Sequence, residues 1–343
     1  MYPKRLVFCG GGTRCLVFIQ TLVELEHRNM LTNVREYWGT SAGALLASLY
    51  ALSKSAKPLK ELMFSANYMK FRDIDVTNIL TINSSWGLDD GKSLVSEIER
   101  MFESMEVGSK TKRMGDVPGL NIIVSDLNIH TTIVCNKETF PNLRVVDAIR
   151  ASMSLPIYFR PFVNPENGHY WIDGAVRANF PWDLLPDDAA RSEALGFNFE
   201  KSLVGGPKKL SEYIFSMIHF DEPKKIIELR KNWGNNIIWY PSPPYPAWFV
   251  CLKKEDYALI ESLGRSAFEI WNASKREAET SPFLKTTEIP TASSAHHTVL
   301  PSSPMHHISE TSDIPKSPCL LLQQHPSSPQ TQNISLASRR WSV

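Results

Sequence analysis

Two short apolar runs near the N-terminus each break into glycines and pass at once into a helical stripe. Arg5–Cys9 runs into Gly10–Gly12, after which Leu16, Ile19, Leu22, Val23 and Leu25 recur at helical spacing over residues 14–28. Trp38 leads into Gly39-Thr40-Ser41-Ala42-Gly43, followed by the apolar helix ALLASLYALS. The alternation continues with expected helices over 58–69 and 91–104, strands near 120–124 and 131–135, and a helix from about Val146. A strand at 169–172, a helix over SEYIFSMIHF and a closing helix over EDYALIESLGRSAFEIWN complete it. Strands separated by helices imply an α/β fold whose largely parallel or mixed sheet is covered on both faces.

From about residue 274 Ser, Thr and Pro dominate and hydrophobic periodicity ends. Such a segment buries too little apolar surface to offset the entropy of ordering its backbone. The expected division is therefore a folded domain over 1–273 and a flexible tail over 274–343. Five of the nine histidines fall in the last 50 residues, and the pairs His296–His297 and His306–His307 read as solvated tail residues rather than metal ligands. The cysteines at 9, 15, 135, 251 and 319 form neither a ligand spacing nor a disulfide framework. Lys and Arg total 37 against 36 Asp and Glu, which argues against a basic surface tracking nucleic acid. No run approaches the roughly 18 apolar residues of a spanning helix. MYPKRLVFCGGG lacks the longer apolar segment and cleavage site of a secretory signal, so the sequons at Asn83, Asn272 and Asn333 carry no weight. The expected location is cytoplasmic or peripheral to a membrane.

Gly39 and Gly43 remove side-chain bulk where strand and helix approach, which would hold Ser41 in the open on a sharp turn. The plain alternative is that Thr40 and Ser41 only cap the helix that follows. The loop FCGGGTR suits an anion or oxyanion nest around Gly11, Gly12 and Thr13, reinforced by Arg14. Its consecutive glycines do not match the G-x-G-x-x-G of dinucleotide binding. Nor is Gly91-Lys92-Ser93 a phosphate loop, because Trp86 stands where a glycine is required. In Tyr170-Trp171-Ile172-Asp173-Gly174-Ala175 a short strand delivers Asp173 to a glycine turn. There it would either accept the Ser41 proton directly or serve as a simple turn or cap residue. Outside the tail the histidines are His27, His130, His169 and His219; the last two are the alternative bases of a Ser–His enzyme.

The ordered set GGGTR, GTSAG and DGA, with VVDAIRASMSLPIYFRPF before the aspartate and VRANFP after it, resembles the patatin-like phospholipase family, the lipid acyl hydrolases. The correspondence spans about residues 5–182 and continues loosely to the helix around 255–271. The resemblance implies a three-layer α/β/α fold with a central, mostly parallel sheet. It makes Ser41 the nucleophile, Asp173 the base and Gly11, Gly12 and Thr13 the oxyanion loop, with Arg14, Gly39, Gly43 and Gly174 in support. It also implies hydrolysis of fatty acyl esters of phospholipids at a membrane or micelle surface, without cofactor or metal. Cys15 departs from the family, which commonly has glycine there; closer helix packing and redox sensitivity follow as expectations. An acylglycerol lipase or esterase, an acyltransferase and a catalytically silent lipid-binding module remain alternatives. Two segments are candidates for lipid access: ELMFSANYMKF and IIWYPSPPYPAWFVCLKK. In the second, Trp239, Tyr240, Tyr245, Trp248 and Phe249 would dip into an interface while Lys253 and Lys254 meet head groups, unless the loop simply packs on the domain.

Overall fold

Successive residues of the central strands enter two different cores, as the period of two in a β-strand requires. Leu6 and Phe8 join one, Val7 the other; Tyr37 and Trp38 divide in the same way, as do Ile122 and Ile123. The sheet is thus buried on both faces. The computed structural model describes residues 2–74, 78, 80, 82–200, 216, 222–245 and 251–280. These lie in the first of two compact units, Met1–Thr286 and Thr287–Val343. The expected tail beyond residue 280 and the helix expected over SEYIFSMIHF, apart from Ser216, lie outside the described residues.

In chain order the elements are β1 (Arg5–Phe8), α1 (Val17–His27), β2 (Glu36–Thr40), α2 (Ala42–Ser53), α3 (Ala56–Ser65), α4 (Ile82–Ser85), β3 (Gly87–Asp89) and α5 (Lys92–Met105). There follow β4 (Leu120–Asp126), β5 (Thr131–Cys135), α6 (Val145–Ser152), β6 (Ile157–Phe159), β7 (Phe162–Val163), β8 (Tyr170–Asp173), α7 (Ala175–Ala178) and α8 (Asp188–Ser192). The last are β9 (Ala194–Phe199), α9 (Glu222–Trp233), β10 (Ile237–Tyr240) and α10 (Lys254–Thr280), which continues past position 273. The main sheet has the order β10-β9-β1-β2-β4-β8-β7, with β5 also on β4. From β10 to β4 the strands are parallel; β5 and β8 oppose β4, and β7 opposes β8. β3 and β6 form a small parallel pair apart from it. Helices α1, α2, α3, α5, α6 and α10 contribute to the larger core, while Trp182, Leu185 and Ala190, with α9, cover the other face. The result is a three-layer α/β/α fold.

Local chemistry explains where elements differ from expectation. The helix expected over 58–69 ends at Ser65, and a separate 3-10 turn, Tyr68–Phe71, begins where Asn67 Oδ1 accepts from Met69 N–H at 3.0 Å. An Asn that bonds its own backbone competes with helix continuation. β9 and β10 were not anticipated. Ile237–Tyr240 is a strand at the sheet edge rather than part of a surface loop. Tyr240 is fully buried, Tyr245 is buried, and Trp239 packs against the second core, so these three do not present an interfacial surface. Trp248 and Phe249 lie outside the described residues.

The Tyr240 hydroxyl donates to Thr21 Oγ1 at 2.8 Å, and Thr21 donates to Gly264 O at 2.8 Å. This buried relay joins the edge strand to α1 and α10. Thr21→Val leaves the Tyr240 hydroxyl without a partner and is expected to cost about 1–3 kcal/mol. In a Tyr240→Phe background the same substitution should cost clearly less. Urea unfolding of the two single variants and the double variant measures the difference.

Candidate active site

β5 pairs with Ile122–Asp126 along one edge of β4, so the opposite edge carries two strands in succession. β2 runs along that edge parallel to β4 and ends with Thr40 opposite Ile123. β8 arrives from the other direction and ends with Asp173 opposite Val124. The two strand ends meet head-on at adjacent β4 positions. Ser41, the next residue after Thr40, is thereby set against Asp173 across 132 positions of sequence.

Ser41 Oγ donates to Asp173 Oδ2 at 2.8 Å, and Ala175 N–H donates to Asp173 Oδ1 at 2.8 Å. Both residues are buried, at 2% and 1% exposure. Ser41 has φ +54° and ψ −127°, a conformation that costs a non-glycine residue about 1–3 kcal/mol and needs support from its surroundings. Its side chain makes no helix-capping bond, so the plain capping reading of Ser41 does not describe it. A Cβ at Gly39 would strike the Gly43 carbonyl, and one at Gly43 would strike the Cys9 carbonyl. The elbow therefore needs both glycines because α2 passes directly against the ends of β1 and β2. Gly174 likewise leaves room for Ile123 O and Thr40.

Three serines that sequence reasoning did not single out hold this pair. Ser41 N–H donates to Ser152 Oγ at 2.8 Å, and Ser152 donates onward to Ile123 O at 2.6 Å. Asp173 N–H donates to Ser154 O at 2.9 Å, while Ser125 Oγ donates to Asp173 O at 3.0 Å. Ser152 and Ser154 belong to VVDAIRASMSLP, which stood out as a block. Which of its side chains face the elbow is decided by how α6 ends, and no local pattern carries that.

The glycine loop passes beside the elbow. Gly10 N–H donates to Asn179 O at 3.1 Å, and a Cβ on Gly10 would lie 3.1 Å from Ser41 Cβ. Gly11 precedes the 3-10 turn Gly12–Leu16, which Gly12 opens at φ +59°. Gly12 and Thr13 line a cavity together with Ala42, the neighbour of Ser41. Arg14 Nε donates to Tyr245 O at 3.2 Å and so ties the loop to the segment after β10. The cavity holds about 550 Å³ of open space, its mouth included. Its lining is mostly apolar and includes Leu45, Leu94, Met153 and Phe159 together with Met63, Tyr68 and Phe71 of ELMFSANYMKF. The Tyr68 hydroxyl donates to Met63 O at 2.5 Å, so that wall residue has its polar atom satisfied within the protein.

His169 is committed elsewhere. Its Nδ1 lies 2.8 Å from Asp126 Oδ2, which also accepts from Trp171 Nε1 at 2.9 Å. Burial raises the Asp126 carboxyl, but the bonds from His169, Trp171 and two backbone amides outweigh it, so the group titrates below its ordinary range. His169 stands before the start of β8 and Asp173 at its end, so the strand itself separates the histidine from Ser41. His219 lies outside the described residues. Among the described residues no cluster of three or more His, Cys, Asp or Glu is placed to hold a metal ion, and no helix is long and apolar enough to cross a membrane.

Cys15 is buried against the loop, its Sγ 3.5 Å from Cys9 O. Burial pushes its thiol well above the ordinary range, which disfavours the reactive thiolate despite nearby Arg14. Redox sensitivity at Cys15 is thus opposed by its surroundings. An alkylating reagent at pH 8 is expected to modify exposed Cys251 in the native protein and to reach Cys9, Cys15 and Cys135 only after unfolding. Peptide mass analysis of native and denatured samples checks this.

Comparison with known proteins gives the family and the fold. Residues 6–186 match the family model described as patatin-like phospholipase. An uncharacterized protein of Acanthamoeba polyphaga mimivirus, R571, is 23% identical over 195 residues, covering 57% of this chain and 65% of that protein. The chain thus spans just under two thirds of that relative. Uncharacterized YqhO of Bacillus subtilis is 26% identical over 289 residues, covering 77% of this chain and 96% of that protein. VipD from Legionella pneumophila shares the fold, with a TM-score of 0.53 at 15% identity over 80% of this chain and 67% of that one. With its family match extending over more than half of its length, the chain belongs to the patatin-like phospholipase family.

Proposed function

We propose that the protein is a serine lipid acyl hydrolase that cleaves fatty acyl esters of phospholipids through Ser41 and Asp173. The observation that carries the reading is the 2.8 Å hydrogen bond from Ser41 Oγ to Asp173 Oδ2, made beside an apolar cavity. The carboxylate accepts the serine proton along that bond as Ser41 Oγ attacks the ester carbonyl. Backbone N–H groups of Gly11, Gly12 and Thr13 receive the charge that develops on the carbonyl oxygen. Gly10 is not among them, because its amide is already bonded to Asn179 O. Collapse of the tetrahedral intermediate expels the lysophospholipid, which takes up the proton, and leaves an acyl group on Ser41. Asp173 then accepts a proton from water as the water attacks the acyl carbonyl, and the collapse that releases the fatty acid returns that proton to Ser41 Oγ. One oxyanion donor of this kind contributes about 3–4 kcal/mol to the barrier reduction.

Substrate class follows from the cavity wall. Met63, Phe71, Leu94 and Phe159 offer neither charge nor hydrogen bonds to a ligand, which suits an acyl chain and not a charged head group. The head group then stays on the solvent or bilayer side of the scissile ester.

Vesicles of mixed phospholipids incubated with the protein are expected to yield fatty acids and lysophospholipids in equal amounts, read by mass spectrometry. Ser41→Ala and Asp173→Asn should each lower release on the order of 10³-fold or more with the unfolding transition kept. Near-native release by purified Ser41→Ala protein would remove Ser41 from the reaction. Vesicle binding without release by the wild type would favour a silent lipid-binding module.

A further inference from the structure

α6 carries a buried cation that the reaction does not use. Arg150 is 4% exposed, and no carboxylate lies within 4.0 Å of its guanidinium among the described residues. Its donors go to neutral oxygens instead. Nη1 donates to Ser154 Oγ, while Nη2 donates to Asp90 O at 3.2 Å and Arg160 O at 3.0 Å. The Phe159 ring lies 5.0 Å from Cζ, and Gly91 leaves the space that the guanidinium fills. Burial lowers the group to about 10, opposed by the more distant charges of Asp89 and Asp90, so it stays protonated at neutral pH.

A buried charge without an ion-pair partner is expensive to retain, and an apolar side chain of similar volume would avoid that cost. What the charge fixes lies next to Ser41. Ser154 Oγ accepts from the Arg150 guanidinium and donates to the Arg150 carbonyl at 2.9 Å, so one residue clamps both sides of that hydroxyl. Ser154 O accepts from Asp173 N–H, and Ser152, two residues earlier, accepts from Ser41 N–H. The turn from Ser152 to Ser154 therefore holds both members of the pair.

We propose that Arg150 is a positioning residue: its guanidinium locks the Ser152–Ser154 turn and so fixes Ser41 relative to Asp173. This rests on the reading of Ser41 as nucleophile. A planar fork reaching three acceptors cannot be reproduced by the point charge of lysine. A displacement near 1 Å at reacting atoms is enough to lower a rate by about 10²-fold.

The test uses the full chain with Arg150→Lys, Ser154→Ala and the double variant. Arg144→Gln is the control, because Arg144 lies at the start of the same helix and pairs with Asp147 and Glu99. Three quantities are read: the unfolding midpoint, the rate of Ser41 phosphonylation by a fluorophosphonate, and kcat and KM for p-nitrophenyl butyrate. Arg150→Lys and Ser154→Ala should each slow phosphonylation and lower kcat by about 10- to 100-fold with KM within about twofold. The double variant should be no slower than the slower single variant, since both act through one hydroxyl. Arg144→Gln should lose stability and keep the wild-type rate. Wild-type phosphonylation in folded Arg150→Lys, or in Ser154→Ala if the lysine variant does not fold, overturns the role of Arg150. A rate loss in Arg144→Gln equal to that in Arg150→Lys also overturns it, by reducing the effect to helix stability. If the wild type itself is not phosphonylated at Ser41, the nucleophile reading falls and takes this role with it.

Discussion

A strand offers hydrogen bonds along two edges only, and β4 has three partners. β5 occupies one edge, so β2 and β8 must share the other, and they can do so only by ending where they meet. The glycines of the elbow, the positive φ of Ser41 and the tight turn at Gly174 are local consequences of that collision. Neither chain end can continue along β4, so each leaves the sheet at once, one into α2 and the other into α7. The two side chains at the exits then face each other across a space filled by a single hydrogen bond.

Ending two strands in the interior of a sheet leaves backbone groups that would otherwise lose their partners, a cost comparable to a lost hydrogen bond for each. The serines of the α6 terminus and of β4 remove it. Ser152 and Ser125 act through their hydroxyls, on Ser41 N–H with Ile123 O and on Asp173 O, while Ser154 takes Asp173 N–H on its main-chain carbonyl. Small hydroxyl side chains suit this position because they supply both donor and acceptor without the volume that would separate β2 from β8. The members of the polar junction, Ser41, Ser125, Ser152 and Asp173, are all buried, so it operates at low local dielectric, where each bond is stronger and each omission more costly.

The parts of the site legible in the sequence are those carried by short, contiguous strings. GTSAG and DGA declare a turn after a strand, and their glycines give way to backbone at Gly43, Cys9 and Ile123, contacts that the short strings signal without naming the partner. ELMFSANYMKF, whose apolar residues mark it as a candidate access segment, supplies Met63, Tyr68 and Phe71 to the cavity wall. The aromatic stretch at 237–245 admits two readings, an interfacial surface or packing on the domain, and there is a physical reason that composition does not choose between them. A strand of four residues bearing Trp and Tyr has the composition of an interfacial loop, and only its pairing with β9 reveals that Tyr240 points into the core. Ser152, Ser154 and Arg150 were hidden for another. Their importance comes from a contact between the end of one helix and the ends of two distant strands, and no spacing within α6 encodes it.

Because adjacent residues of β4 set the positions of Ser41 and Asp173, the length of chain between them is free to vary wherever it leaves the sheet. Met63, Tyr68 and Phe71 lie in such an interval, between α2 and β3. Insertions or losses there reshape the ligand cavity without altering the register of either strand end. Loss of one residue inside Tyr170–Ile172 is a different event, since it turns every following side chain to the opposite face of the sheet. The architecture thus separates a cavity wall whose shape is open to change from the phase of four residues in β8, which is not.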